Sequence, residues 1–241
     1  MRRAAATIAA LAAIVLGAAG CETTQSESAK IGRRLGHQSA VAGQTSLGSA
    51  SRAVHVKRKV LLSAGGSSAV ALELVNDSAR AQVAFPVLID VADAAGKSVY
   101  RNDTKGIEPS LQQLALLAPH SSAWWVDNEV LAGAPRSVSA RIGSSVAKAP
   151  AALPQLVTSG VRASASFPGP HVSATVENRS KVAQRELAVY AVVLKGAAVV
   201  GAGRAVIAQL APGARAQVLI PVIGTIDGRT IALTAAPSQL H

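Results

Sequence analysis

Cysteine is nearly missing from this chain: Cys21 is the single example among 241 residues. One thiol excludes a disulfide framework, a zinc site built on several thiolates and a redox cysteine pair within one chain. Aromatic side chains are also scarce, at 2% of the composition. Any hydrophobic core must therefore be assembled from small aliphatic residues, with no covalent links to support it.

The first twenty residues have the composition of an export signal. A basic start at Arg2 and Arg3 is followed by an apolar run over residues 4–19 and then by Gly20. The run is too short to span a bilayer comfortably, and small residues stand where a signal would be cut. We predict a cleaved signal peptide over residues 1–20 rather than a transmembrane helix.

The segment Ala18-Ala19-Gly20-Cys21 resembles the lipobox of bacterial lipoproteins, in which a diacylglycerol is attached to the cysteine before cleavage. The family usually has leucine three residues before the cysteine, where this chain has Ala18 and carries Leu16 two positions earlier. The resemblance implies that Cys21 is lipidated and anchors the chain at the extracytoplasmic face of the cell membrane. Two acyl chains hold a protein durably, since each buried methylene contributes about 0.8 kcal/mol. The alternatives are ordinary secretory cleavage after Gly20, which leaves a free thiol, and an uncleaved anchor.

Acidic residues are few: 13 stand against 24 lysines and arginines, which gives a formal net charge of +11. For an exported protein at a membrane, the polyanions within reach are lipid headgroups and cell-wall polymers, and nucleic acid is not an expected partner. The densest basic run is His55-Val56-Lys57-Arg58-Lys59. We interpret this run as the solvent-facing part of a strand, with contact to an anionic surface as the alternative.

Short apolar stretches separated by turn residues dominate the chain from Val54 onward, with almost no helical periodicity. This pattern predicts an all-β protein built as a sandwich or barrel. Residues 21–52 are rich in serine, threonine, glutamine, glycine and alanine. We predict that they form a flexible, disordered tether between the lipidated cysteine and the folded part.

One series of landmarks occurs twice in the β-rich part. Asn76-Asp77-Ser78 corresponds to Asn178-Arg179-Ser180, and Leu117-Ala118-Pro119-His120 corresponds to Leu210-Ala211-Pro212-Gly213. The interval from asparagine to leucine is longer in the first copy. We assign the excess to an insertion at residues 102–114.

The repeat predicts two tandem β-sandwich domains, over residues 53–143 and 160–241. A segment rich in proline and alanine, residues 144–159, is predicted to be the linker between them.

The order of these motifs resembles the small immunoglobulin-like (Ig-like) sandwich modules of bacterial surface lipoproteins, such as FxLYD-type domains. Leu187-Ala188-Val189-Tyr190 in the second copy stands in the fitting place. The first copy departs from the pattern, because Pro86 follows Phe85 and because His120 replaces the turn glycine. The resemblance implies tandem Ig-like folds, but such sandwiches carry many unrelated roles.

No catalytic or metal-binding spacing is found among the five histidines, and there is no HExxH helix or GxSxG elbow. These histidines are His37, His55, His120, His171 and His241. We interpret His120 and His171 as solvated turn residues. The segment Gly201-Ala202-Gly203-Arg204 lacks a third glycine and a following helix, so we interpret it as a strand turn rather than a phosphate cradle. The sequence predicts no cofactor and no metal.

Carboxylates are too scattered to predict an enzyme. Asp127 and Glu129 share one side of a predicted strand, and Asp103 and Glu108 lie in the insertion that could approach them. A glycosidase needs two carboxyl groups held across a cleft, one of them with a raised pKa. We interpret these residues as solvated surface acids, with a weak cation site as the alternative.

Trp124-Trp125 is a pair of adjacent large rings, and adjacent residues on a strand face opposite ways. One indole can fill the core, while the other must be covered, exposed or used. Two interpretations are open. Either the insertion covers the second ring, or a protein partner or glycan contacts it beside Tyr100, Arg101 and Lys105.

Together these features predict a non-catalytic, membrane-tethered lipoprotein that acts as a binding or scaffolding module for an unidentified protein partner at the cell envelope. A purely structural spacer is the first alternative. An enzyme acting on cell-wall glycan is the second.

Overall fold

The computed structural model describes residues 47–131, 133–166, 169–228 and 230–240. The predicted signal peptide, Cys21 and the tether up to residue 46 lie outside the described residues, as do His37 and His241. The predicted fold class is confirmed, because the described chain is all-β with antiparallel strands in several sheets. Its only helical element is one short 3-10 turn.

Fourteen strands and this turn follow one another in the described residues. The first half contains β1 (Val54–Ala64), β2 (Ser67–Asn76), β3 (Gln82–Ala92), β4 (Ser98–Arg101), the 3-10 turn (Pro109–Leu111), β5 (Gln113–Leu117), β6 (Ser121–Val130) and β7 (Ser137–Ile142). The second half contains β8 (Leu156–Ser164), β9 (His171–Asn178), β10 (Gln184–Lys195), β11 (Ala198–Leu210), β12 (Arg215–Pro221), β13 (Ile223–Gly224) and β14 (Thr230–Ala235).

The first half forms a sandwich, here called sandwich one, from two sheets. One sheet has the order β1-β2-β6, and the other is built around β3, which pairs with β4, β5 and β7. Large side chains on the inner faces, such as Leu72, Phe85 and Trp125, fill the core between the sheets. Because Leu72 and Trp125 are register partners, they point to the same side of their sheet.

The second half forms sandwich two with the same design. Its sheets have the orders β12-β9-β8 and β13-β11-β10-β14. Leu187, Val189 and Ile220 are fully buried between them.

The pairing register is the same in both sandwiches. Glu73 pairs with Trp124 in sandwich one, and Thr175 pairs with Gln217 in sandwich two. The sequence offset between equivalent residues of the two sandwiches is 102 at the first pair of positions, 73 and 175, and 93 at the second, 124 and 217. The nine extra residues of sandwich one lie between β4 and β5, where sandwich two has the unbroken strand β11.

The repeated asparagines make equivalent hydrogen bonds in both halves. Asn76 is fully buried; its amide donates to the Arg80 and Leu117 carbonyls, and its Oδ1 accepts from Ser78. Asn178 makes the matching bonds to the Val182 and Leu210 carbonyls and from Ser180. Each asparagine therefore closes the turn after one strand onto the end of another, as expected for a turn former.

Strand β10 is buried on both faces, which shows how the sandwiches meet. Its inner residues, such as Val189, belong to the core of sandwich two, whereas Tyr190 and Val192 pack into the core of sandwich one. The sheet β13-β11-β10-β14 therefore lies on the outer face of the sheet β1-β2-β6. We call this contact the junction, and the described residues all fall in one compact unit.

Two predicted boundaries need correction. The tether was predicted to reach residue 52, but its end is hydrogen-bonded to the fold: Ser51 N–H donates to the Ile142 carbonyl at 2.9 Å, and Ala50 pairs with Gly143. The linker was predicted to reach residue 159, but β8 begins at Leu156. Composition alone did not reveal either pairing, because the partner strands are distant in the sequence or begin within the segment itself.

The two outermost sheet faces carry different side chains from those at the junction. At the positions equivalent to Glu73 and Trp124, sandwich two has Thr175 and the exposed Gln217. On the other outer face, the pair Leu88–Arg141 stands where the junction has Tyr190–Thr234.

Candidate functional site

The junction contains a cluster of charged and polar side chains around Arg204. This residue lies near the middle of β11, and only 3% of its side chain is exposed. Its Nη2 group contacts the Glu108 carboxylate and the Ser110 hydroxyl, and its Nη1 lies 3.4 Å from Glu129 Oε1. A buried guanidinium needs such partners, because removing its charge from water is costly unless it is compensated.

The segment between β4 and β5 brings Glu108 and Ser110 to Arg204. Asn102, which is fully buried, fixes this segment to β3 through bonds with Ile89 N–H and the Val87 carbonyl, both at 2.8 Å. Gln112 Nε2 also donates to the Asn102 carbonyl at 2.7 Å. The predicted insertion is thus a structured arm of sandwich one that reaches sandwich two.

One carbonyl of this arm connects both sandwiches. The Ser110 carbonyl accepts a bond from Trp125 Nε1 at 3.1 Å and another from the Tyr190 hydroxyl at 3.2 Å. Burial raises the pKa of Tyr190, so this hydroxyl stays protonated and remains a donor.

A buried carboxylate lies beside the Arg204 cluster. The Tyr100 hydroxyl donates to Asp127 Oδ2 at 2.7 Å, and Glu129 N–H donates to Asp127 Oδ1 at 2.9 Å. Burial raises the pKa of Asp127 to about 6 although both bonds favour its charged form. Burial and the Asp127 charge together raise the pKa of Tyr100, which keeps the phenol neutral.

A second ion pair crosses the same sheet face near Trp124. Arg58 contacts Glu73, its guanidinium carbon lies 5.0 Å from the Trp124 ring centroid, and its Nη1 donates to the Ala197 carbonyl of sandwich two at 3.0 Å. Burial of Glu73 acts to raise its pKa, but Arg58 and Lys57 outweigh this effect and lower it. A cation over an indole face is attracted by the ring quadrupole.

Both tryptophans are buried, which corrects the predicted contact of a partner with their rings. Trp125 is fully buried and Trp124 is 6% exposed. Trp125, the ring that fills the core, is bonded to the arm, whereas the interpretation expected the arm to cover the second ring. The backbone N–H of Trp124, which carries that second ring, donates to Thr234 Oγ1 at 3.0 Å. Sandwich two therefore adjoins Trp124.

The other three residues of the predicted partner contact have different surroundings. Tyr100 is engaged with Asp127, and Arg101 forms an ion pair with Asp103 at 2.5 Å. Arg101 also lines a cavity of about 90 Å³ with Arg141 on the outer face of sandwich one. Lys105 is exposed. A partner contact at Arg101 and Lys105 stays a prediction.

Sequence reasoning missed Arg204 and read its surroundings wrongly. The segment Gly201–Arg204 is not a turn but the middle of β11, where the chain passes close to another segment. A Cβ on Gly203 would lie 1.9 Å from the Pro221 carbonyl oxygen. A single arginine inside a long apolar strand was the available signal, since such a residue is rarely buried unless it is paired.

The predicted roles of the carboxylates and histidines also need correction. Glu108 and Glu129 do approach each other through Arg204, whereas Asp103 stays with Arg101, and Asp127 is buried rather than solvated. His171 begins β9 and is buried, with Nδ1 2.7 Å from the Gly169 carbonyl. Within the described ranges, no group of histidines and carboxylates could hold a metal ion.

A shallow groove of about 410 Å³ crosses the outer face of the sheet β12-β9-β8. Its lining includes Arg162, Ser173, Thr175, Gln217 and Leu219. The groove offers one guanidinium and several hydroxyl and amide groups, but no paired acid and base.

Comparison with known proteins gave no relatives. No protein-family model matches the chain, and no curated protein matches it.

Among the residues that the structure describes, no helix is long and apolar enough to cross a membrane.

Proposed function

We propose that this chain is a non-catalytic lipoprotein, anchored through Cys21 at the extracytoplasmic face of the cell membrane, whose folded part is a binding or scaffolding module. The observation that carries the proposal is the N-terminal sequence, in which an apolar run ends on Gly20 and a solitary Cys21. A diacylglycerol attached to the Cys21 sulfur carries two acyl chains, which would hold the molecule at the membrane surface.

The contacts of the carboxylates support a non-catalytic role. Glu108 and Glu129 neutralise Arg204, Asp127 accepts from Tyr100, and Glu73 is paired with Arg58. Carboxylates engaged in this way are not aimed across a cleft, as a glycan hydrolase would require. The raised pKa of Asp127 is a feature that a glycosidase would share, but this carboxylate is fully buried and a substrate could not reach it.

Globomycin, which blocks the lipoprotein signal peptidase, tests the anchor. We expect treated cells to accumulate a larger precursor, and a Cys21→Ser variant to lose its lipid and leave the membrane fraction. Unchanged mobility under globomycin would overturn the lipoprotein proposal.

A purely structural spacer is the second candidate, and the junction favours it. A shared core and the Arg204 cluster join the sandwiches, as a spacer of fixed length would require. Crosslinking at the native membrane separates the two functions. A binding module should capture a defined partner, and Arg101→Glu with Lys105→Glu should reduce that capture, whereas a spacer should capture none.

A further inference from the structure

We propose that one end of sandwich one is a contact surface for an anionic lipid membrane. This end, here called the entry end, consists of residues 47–53, 76–82, 118–120 and 144–148, and the described chain begins in it. The inference rests on the proposed membrane anchor for its place in the cell, because it names the face that the anchored molecule turns towards the lipid. The test does not use the anchor, so the two proposals can fail separately.

Main-chain hydrogen bonds hold the first three of these segments together. Asp77 N–H donates to the Ala53 carbonyl at 3.2 Å, which joins the first segment to the second. His120 N–H donates to the Ser78 carbonyl, also at 3.2 Å, which joins the second segment to the third. Residues that are distant in the sequence therefore form one surface.

The fourth segment forms a cavity with the first. Ser144 N–H donates to the Ser49 carbonyl at 2.9 Å, and Ser49 Oγ donates to Ser144 Oγ at 3.0 Å. The cavity measures about 380 Å³, and Arg52 and Gln82 also line it. It brings together a guanidinium, hydroxyl groups and an amide, which are donors suited to the phosphate of a lipid headgroup.

The exposed charges of the entry end are mostly positive. Arg52, Arg80 and Lys148 are exposed, and no carboxylate within the described ranges forms an ion pair with any of them. Asp77 is the only acidic residue in the four segments, and it lies 2.9 Å from His55 Nδ1. Unpaired lysine and arginine side chains near a membrane are attracted to anionic headgroups.

An exposed apolar side chain lies among these charges. Val146, two residues before Lys148, is 72% exposed. Apolar contact and electrostatic attraction both contribute to binding at an anionic lipid surface. The entry end offers both.

The position of the predicted anchor favours this end over the opposite one. Leu47 is the first described residue, and 25 residues separate it from Cys21. Lys97 and Arg136 lie at the other end of β3, where the Arg136 N–H and the Lys97 carbonyl bond the chain next to the end of that strand. A strand of 11 residues is about 35 Å long, so the two ends are well separated.

The test uses residues 22–241, which contain every described residue and lack both the apolar N-terminal run and the thiol. Sedimentation with vesicles measures binding at about 0.1 M salt, where charges are screened beyond about 10 Å. We expect binding to vesicles of phosphatidylglycerol and phosphatidylcholine in equal parts, and none to vesicles of phosphatidylcholine alone.

Charge reversal locates the contact. Arg80→Glu with Lys148→Glu should weaken binding to the mixed vesicles by about tenfold or more. Lys97→Glu with Arg136→Glu is the matched control, because it changes the net charge equally at the opposite end. It should leave the binding within about twofold of the parent.

A fluorescent label gives a second measurement that does not depend on charge variants. Residues 22–241 contain no cysteine, so Val146→Cys supplies a single site for an environment-sensitive fluorophore. Its emission should shift to the blue on the mixed vesicles. Leu131→Cys, at a position that is 86% exposed just after β6 at the opposite end, should keep its emission in water.

Three results would each overturn the proposal: no sedimentation with the mixed vesicles, equal loss of binding in the two charge-reversal pairs, or a blue shift at position 131 as large as that at 146. Sedimentation with purified cell-wall polymer but not with vesicles would overturn it too, because the surface would then bind a polymer. The response to globomycin is independent of all these results.

Discussion

At position 120 a histidine occupies a backbone conformation for which the second sandwich uses glycine. His120 has φ of 47°, and Gly213, at the equivalent turn, has φ of 73°. Left-handed φ strains a residue with a Cβ, whereas glycine adopts it freely. The departure noted in the sequence, histidine in place of the turn glycine, therefore has a direct cost in the backbone.

We predict that His120→Gly stabilises the protein. Relief of strain is partly offset by the greater freedom of glycine in the unfolded chain, which leaves a gain of about 0.5–1 kcal/mol. Urea unfolding measures it. The converse variant Gly213→Ala should destabilise the protein, and a loss of stability in His120→Gly would contradict the argument.

Asp127 should make the stability fall as pH rises. Its pKa of about 6 in the folded protein lies above the ordinary value of 3.8, so its contribution to stability is fully present below pH 3.8 and is lost as pH rises through 6. Asp127→Asn removes this dependence, and stability relative to the parent should grow by about 3 kcal/mol between acidic and neutral pH. Urea unfolding at several pH values measures the difference, and the exposed Asp77→Asn serves as control. A constant difference between Asp127→Asn and the parent would contradict the assignment.

At the scale of the strand, β11 owes its path to glycines that allow another segment to pass close by. Gly203 lies so near Pro221 that any side chain would displace the backbone, whereas Gly133 has open space around its Cα. We predict that Gly203→Ala costs at least about 2 kcal/mol through overpacking. Gly133→Ala should be nearly neutral, and thermal melts of the two variants test the contrast.

Local patterns predicted the elements better than their contacts. The short apolar stretches separated by turn residues correctly predicted strands and turns, because these features depend on neighbours in the chain. The Arg204 cluster joins residues about 75 to 96 positions apart, and nothing local to Glu108 or Arg204 specifies that meeting. The candidate site was therefore mostly beyond prediction.

The tryptophan pair also shows that contacts between the sandwiches are harder to predict from sequence than strands are. Strand geometry predicted that one ring fills the core and that the other needs a cover, but the arm bonds Trp125, which is the ring in the core. The sequence does not predict that sandwich two adjoins Trp124. This contact depends on which outer sheet faces of the two sandwiches meet, and no local pattern specifies that.

For the whole molecule, the shared core predicts one cooperative unfolding transition at neutral pH. Tyr190, Val192 and Ala202 of sandwich two are packed with the core of sandwich one, so neither half can unfold without exposing apolar surface on the other. Differential scanning calorimetry of the full chain should give equal calorimetric and van't Hoff enthalpies. Two separate transitions at neutral pH would show that the halves are independent.

The side chains on the two outer faces bear on how far this architecture can extend. A head-to-tail contact between two repeats would generate an open filament if every repeat offered the same pair of faces to its neighbours. Here the end faces carry Thr175 and Gln217 in one direction and Arg141 in the other, in place of the groups that seal the junction. A second copy would therefore meet different groups at either end face, and the contact that joins the two sandwiches is not offered again to a neighbouring molecule.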